Sequence, residues 1–147
     1  MDGNLMEARI LAVKLLKPNA KEPEKAHDSD AGYDIYAPED IRILAGEFKK
    51  ISTGIAIQLP HGFHVELKDK SSRASQGLHV MGGIIDQDYR GEIIVVMHNL
   101  RQITQVIKKG EKICQMILYQ DYPAVVFEVD DISETDRGEG GFGSTGL

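Results

Sequence analysis

Apolar residues recur at every second position over short runs of this chain, not along a 3.6-residue stripe. In Phe63 to Leu67, FHVEL, apolar and polar side chains alternate, which is the period of a half-buried strand. The run before it, Ile51 to Leu59, ISTGIAIQL, is rich in β-branched residues. Pro60-His61-Gly62 separates the two runs, so together they predict a hairpin. HVMGGII leads into the polar turn DQDYRG, and EIIVVMHNL leaves it. This predicts a second hairpin, with Asp86 to Gly91 at its tip. Ile113 to Tyr119 and Val125 to Val129 are further candidate strands. No segment longer than ten residues carries a helical stripe. One short helix is expected after Ser71-Ser72, where a serine can cap RASQ. Pro18 to Asp30 is polar and reads as a long loop. Many short strands with Gly and Pro turns predict an all-β fold, a distorted jelly-roll-like β-barrel with a short helix. It forms one domain over residues 1–132, followed by a flexible glycine-rich C-terminal arm over 133–147.

Composition narrows the classes. The 147 residues suit a single core, and 41% are apolar. The net charge of -6 argues against a nucleic-acid or anionic-lipid partner. An anionic ligand would have to be held by local groups. The single cysteine, Cys114, lies among Ile113, Met116 and Ile117 and reads as a buried inert thiol. The longest aliphatic run is about five residues, Ile93 to Met97, far short of a membrane span. No signal pattern opens the chain. A soluble intracellular protein is expected, cytoplasmic, or nuclear if the source is eukaryotic or viral.

Several stretches carry chemistry beside a plainer structural reading. RGEGGFGSTG, Arg137 to Gly146, is half glycine, with one guanidinium and one aromatic ring. It can be forced onto the G-x-G-x-x-G and P-loop patterns, but it lacks the flanking strand and helix those motifs need. What remains is a ligand clamp: glycine backbone can turn N–H groups onto an anion, Arg137 can grip phosphate, and Phe142 can stack on a base. A disordered tail is the alternative. GGIIDQDYRG, Gly82 to Gly91, sets two carboxylates and a tyrosine at one turn, where an Asp could orient a water as general base. KDKSSR, Lys68 to Arg73, sets three cations around two hydroxyls, either a phosphate site or a solvated helix start. AGYDIYAP, Ala31 to Pro38, alone reads as a turn entering a strand. His61 and His64 lack a third ligand and do not read as a metal site.

In order along the chain, AGYDIYAP, DKSSRAS, GGIIDQDYRGEI, GEKICQMI and RGEGGFGSTG resemble the five motifs of the trimeric dUTPase family. The resemblance runs from about Lys17 onward. It implies hydrolysis of dUTP to dUMP and pyrophosphate with Mg²⁺, in a homotrimer with shared sites. Asp86 would activate the attacking water, and Tyr89 would pack on the deoxyribose. Backbone of the Gly83 to Ile94 segment, including Ile84 and Ile85, would read the uracil. Lys70, Ser71, Ser72 and Gln115 would contact the phosphates. Asp34 would help place Mg²⁺ through water. Arg137 would hold the γ-phosphate and Phe142 would cover the base, while Gly143, Ser144 and Thr145 would close over the triphosphate. Two positions depart from the pattern. Lys70 stands where many members have arginine, which loses the planar fork, and Ser72 stands where many have glycine. A dCTP deaminase-like enzyme of the same superfamily and a dUTP-sensing protein-binding module are the competing readings.

Overall fold

Alternating stretches become strands, and the strands stack in two sheets around one apolar core. The computed structural model describes residues 9–143, 145 and 146. Its elements in chain order are β1 (Ala12–Leu15), β2 (Tyr33–Tyr36), β3 (Ile41–Ile43), β4 (Phe48–Gln58), β5 (Phe63–Lys68), α1 (Ser71–Ala74), β6 (Leu78–Met81), β7 (Ile84–Ile85), β8 (Glu92–Asn99), β9 (Gln105–Ile107) and β10 (Lys112–Gln120). One antiparallel sheet runs β1-β4-β8-β6 and the other β2-β10-β5-β7, with β3-β9 as a small third pair. The all-β, jelly-roll-like expectation holds. The sheets are not joined edge to edge into a closed barrel.

Period two is visible directly in burial. Along β8 every second residue is buried, and Ile93, Val95 and Met97 are fully enclosed. Val65 and Leu67 of β5 meet them across the core, together with Ile35, Ile113 and Met116. Cys114 lies in this core, and burial raises its thiol pKa, so it is inert as a nucleophile. Asn99 is fully buried yet satisfied. Its Nδ2 donates to the carbonyls of Ile43 and Ile103 at 3.1 and 2.7 Å, and its Oδ1 accepts from Gln105 Nε2 at 2.8 Å.

Strand existence was read correctly more often than strand pairing. β4 and β5 do not form the expected hairpin. Both edges of β4 are occupied, by β1 and β8, so Pro60-His61-Gly62 sends the chain to the other sheet, where β5 lies between β10 and β7. The second hairpin is split. β6 pairs with β8, while β7 crosses over to pair with β5 through Val65↔Ile85. Val125 to Val129 is not a strand. Val125, Val126 and Phe127 are 90%, 98% and 81% exposed, with no sheet edge of the described chain beside them. The short helix is present, but no serine caps it. Lys70 is its N-cap residue and makes no side-chain capping bond.

Candidate functional site

Sheet register assembles the first group of candidate residues. β10 is the strand shared by β2 and β5, and its Gln115 lies opposite Asp34 on one side and Lys68 on the other. Residues 81 positions apart in the chain thereby become neighbours in one row. Gly32 keeps the row open, since a Cβ there would sit 2.6 Å from Gln115 Oε1. Gln115 in turn donates from Nε2 to the carbonyl of Asp69 at 2.8 Å, fixing the chain just before α1.

Asp34 is the electrostatic centre of this group. It is only 4% exposed, and both of its oxygens are occupied. Lys70 Nζ lies 2.6 Å from Oδ1 and Lys112 Nζ 2.9 Å from Oδ2. Burial pushes its pKa up, but the hydrogen bonds and charges of Lys70 and Lys112 outweigh burial and hold it below the ordinary carboxylate value. Ser71 and Ser72 stand exposed at the start of α1. Arg73, like Lys70, is engaged within the protein. It folds back, giving Nε to the carbonyl of Lys112 at 2.9 Å and Nη2 to Glu111 at 2.8 Å.

The second group is built on the turn between β7 and β8. Ile84, Ile85, Asp86, Tyr89, Glu92 and Ile94 line a pocket of about 230 Å³. Tyr89 is held in place by its own turn: its hydroxyl donates to the carbonyl of Glu92 at 2.8 Å. Glu92 is fixed from β4, accepting from the Ser52 hydroxyl and from Gly54 N at 2.8 Å, and the Ser52 bond leads in lowering its pKa. Gly83 sets where β7 begins. Its φ of +103° is open to glycine, and its carbonyl accepts from Leu67 N at 2.7 Å. Asp86 stands exposed at the pocket rim.

The third group is the arm. Arg137 gives Nε to the carbonyl of Gly140 at 2.7 Å, closing a local turn. Phe142 is wholly exposed with φ +51°, an uncommon conformation for a residue with a side chain. Gly143 and Thr145 are exposed beside it, and Ser144 lies outside the described residues. Among the described residues, no hydrogen bond or ion pair joins a candidate residue of one group to a candidate residue of another. The structure therefore brings Asp34, Lys70 and Gln115 together, gathers Ile84 to Ile94 in a separate pocket, and leaves the arm apart from both.

Sequence reading overlooked Lys112 and Glu92, and it took Arg73 only as one of three cations around two hydroxyls. Lys112 and Glu92 fall inside quoted motifs, but their partners are 78 and 40 residues away and only strand pairing reveals them. His64 lies between Glu66 and Asp121, at 3.0 and 2.5 Å, and His61 meets Gln87. Among the described residues no three His, Cys, Asp or Glu side chains are placed to hold an ion, and no helix is long and apolar enough to cross a membrane.

The family model for dUTPase matches residues 18–146. The deoxyuridine 5'-triphosphate nucleotidohydrolase of Clostridium tetani is 42% identical over 144 residues, covering 96% of this chain and 99% of that protein. Among solved structures, the Staphylococcus bacteriophage 80alpha dUTPase with dUpNHpp superposes with a TM-score of 0.87 at 29% identity, covering 94% and 99% of the two chains. A mutant dUTPase of S. aureus phage phi11, described as revealing the coordination of a structural Mg(II) ion, gives a TM-score of 0.77 at 27% identity, covering 83% and 97%.

Proposed function

The chain belongs to the dUTPase family, and on that premise we propose that it hydrolyses dUTP to dUMP and pyrophosphate. This lowers dUTP and supplies dUMP for thymidylate synthesis. The observation that carries the reading is the β7–β8 pocket: a small slot with a latched tyrosine on its wall and an exposed carboxylate at its rim.

In this reading Asp86 accepts a proton from a water, and the oxygen of that water forms a bond to the α-phosphorus. The bond from the α-phosphorus to the bridging oxygen breaks, and pyrophosphate leaves. General-base help of this kind is worth about 10²–10⁴ in rate. Backbone of Gly83, Ile84 and Ile85 reads the uracil edge, and Ile94 closes the slot from β8. The Tyr89 ring packs on the deoxyribose and leaves no space for a 2′-hydroxyl. Because Tyr89 is tied to Glu92, that wall is preformed.

Lys70, Ser71, Ser72 and Gln115 take the phosphates. Arg137 holds the γ-phosphate, Phe142 covers the base, and Gly143, Ser144 and Thr145 close behind. The residues suit Mg²⁺ only indirectly. Asp34 is buried and both its oxygens already face ammonium groups, so it would act on a water of the ion, and the substrate phosphates would supply direct ligands. When bound, Mg²⁺ neutralises charge on the triphosphate. These local charges let a chain of net charge -6 hold a polyanion, since the global field is screened.

Each active site is shared between subunits of a homotrimer. The separation of the three candidate groups within one chain supports this. So does the exposed apolar stretch from Tyr122 to Ile132, which nothing among the described residues covers. Asp86→Asn tests the mechanism. Turnover should fall by about 10²-fold or more while a non-hydrolysable dUTP analogue still binds. Wild-type turnover in that variant would remove Asp86 from the role.

A further inference from the structure

The contacts around α1 close into a ring that the five motifs do not describe. Lys70 reaches Asp34, Asp34 reaches Lys112, the carbonyl of Lys112 accepts from Arg73, and Arg73 returns to Lys70 through the backbone of α1. Three of these links are non-covalent and each joins segments distant in the chain. The link through Arg73 is the least expected, because an arginine beside two serines reads as one more phosphate contact.

The geometry gives Arg73 protein partners instead. Its side chain is only 12% exposed, and Nε, Nη1 and Nη2 are all engaged, by Lys112 O at 2.9 Å, Gln76 Oε1 at 3.4 Å and Glu111 Oε2 at 2.8 Å. Among the described residues, no other side-chain bond docks the middle of α1. The helix is four residues long, buries none of them and lacks a side-chain cap. A single turn of this kind is not stable alone. Its flanks are fixed separately. Asp69 accepts from Val80 N at 2.6 Å and from Gln115, and the carbonyl of Gln76 accepts from Gln105 Nε2 at 2.8 Å. Arg73 alone, among the described residues, ties the body of the helix to the turn that carries Glu111 and Lys112. The Glu111 carboxylate has its pKa lowered, first by the hydrogen bond from Arg73.

We propose that Arg73 is a positioning residue for the triphosphate: it locks α1 to the Glu111-Lys112 turn, so that Lys70, Ser71, Ser72 and Lys112 keep fixed spacing. The proposal rests on the dUTP reading of the site and adds to it a residue that touches no substrate atom. A planar guanidinium is needed because two acceptors, a carbonyl and a carboxylate, must be bridged at once.

The test compares the triphosphate with the monophosphate. Steady-state kcat and KM for dUTP would be measured for Arg73→Met, Arg73→Lys and Glu111→Gln, beside the affinities of dUMP and of a non-hydrolysable dUTP analogue, all with Mg²⁺. Arg73→Met should raise KM for dUTP and weaken the analogue on the order of tenfold, with dUMP affinity changed by less than about twofold. Arg73→Lys should recover part of the loss, since lysine can reach one acceptor but not both. Glu111→Gln should fall between. An unchanged affinity for the analogue in Arg73→Met would overturn the proposal, as would equal weakening of analogue and dUMP, the mark of a general structural role. If Arg73→Met does not fold, Arg73→Lys and Glu111→Gln carry the same comparison. If the unaltered chain releases no pyrophosphate, the functional reading fails, while the ratio of the two affinities still decides the role of Arg73.

Discussion

Asp34 on β2 and Lys70 at the N-cap of α1 meet at 2.6 Å although they lie 36 positions apart, and the carboxylate is almost sealed from water. A buried charge with one partner would be poorly compensated. Here Lys112 supplies a second partner, and both lysines keep part of their surface in solvent. Asp34→Asn removes the anion and leaves two ammonium groups that can turn toward water. The expected cost is therefore about 1–3 kcal/mol, less than for a fully enclosed pair. Thermal unfolding near pH 7 would check it.

The same pair sets a pH dependence. The folded pKa of Asp34 lies below its unfolded value, so its stabilisation is complete above the unfolded value and is lost as pH falls through the folded one. The wild-type chain should lose this contribution below about pH 4. Asp34→Asn should show a shallower acid limb over that window. Unfolding curves of both proteins between neutral and acid pH would reveal the difference, and parallel limbs would exclude Asp34 as the group responsible.

Gly83→Ala should damage both stability and binding. A Cβ at Gly83 would lie 2.8 Å from the carbonyl oxygen of Leu67, and φ +103° is strained for alanine. Backbone strain of this kind costs roughly 1–3 kcal/mol. Relief requires β7 to move off β5, which carries Ile84 and Ile85 away from the pocket. A lowered Tm together with a raised KM for dUTP is the expected outcome.

Removal of residues 133–147 should separate activity from stability. Among the described residues the arm bonds only to itself, so the domain's Tm should shift by no more than the equivalent of about 0.5 kcal/mol. Turnover should drop on the order of 10²-fold or more with Arg137 and Phe142 gone. A large fall in Tm would instead make the arm part of the folded core.

The extent to which the sequence disclosed this molecule follows from what single-chain patterns encode. Alternation located β5, because burial on one face imposes period two on its residues, while β8 and β10 showed as apolar runs bounded by polar turns. It could not assign partners, since β4 looks equally ready to pair with β5 or β8. Only the filled edges of β4 decide. Val125 to Val129 shows the reverse case: its residues suit a strand, but the described chain offers it no edge. At the candidate site, Asp86 and Tyr89 could be nominated from one quoted stretch because they sit close together in sequence, and they line one pocket. The contacts of Lys112, Arg73 and Glu92 could not be read there, because they join segments distant in the chain.

Pyrophosphate release from dUTP with Mg²⁺, run beside UTP, dCTP and dTTP, tests the central claim most directly. The pocket on the β7–β8 turn predicts fast release from dUTP alone, with UTP refused at the sugar and dCTP and dTTP at the base. Equal release from all four would contradict the pocket as the source of selectivity. Ammonia from dCTP, or no release from any of them, would contradict dUTP hydrolysis itself.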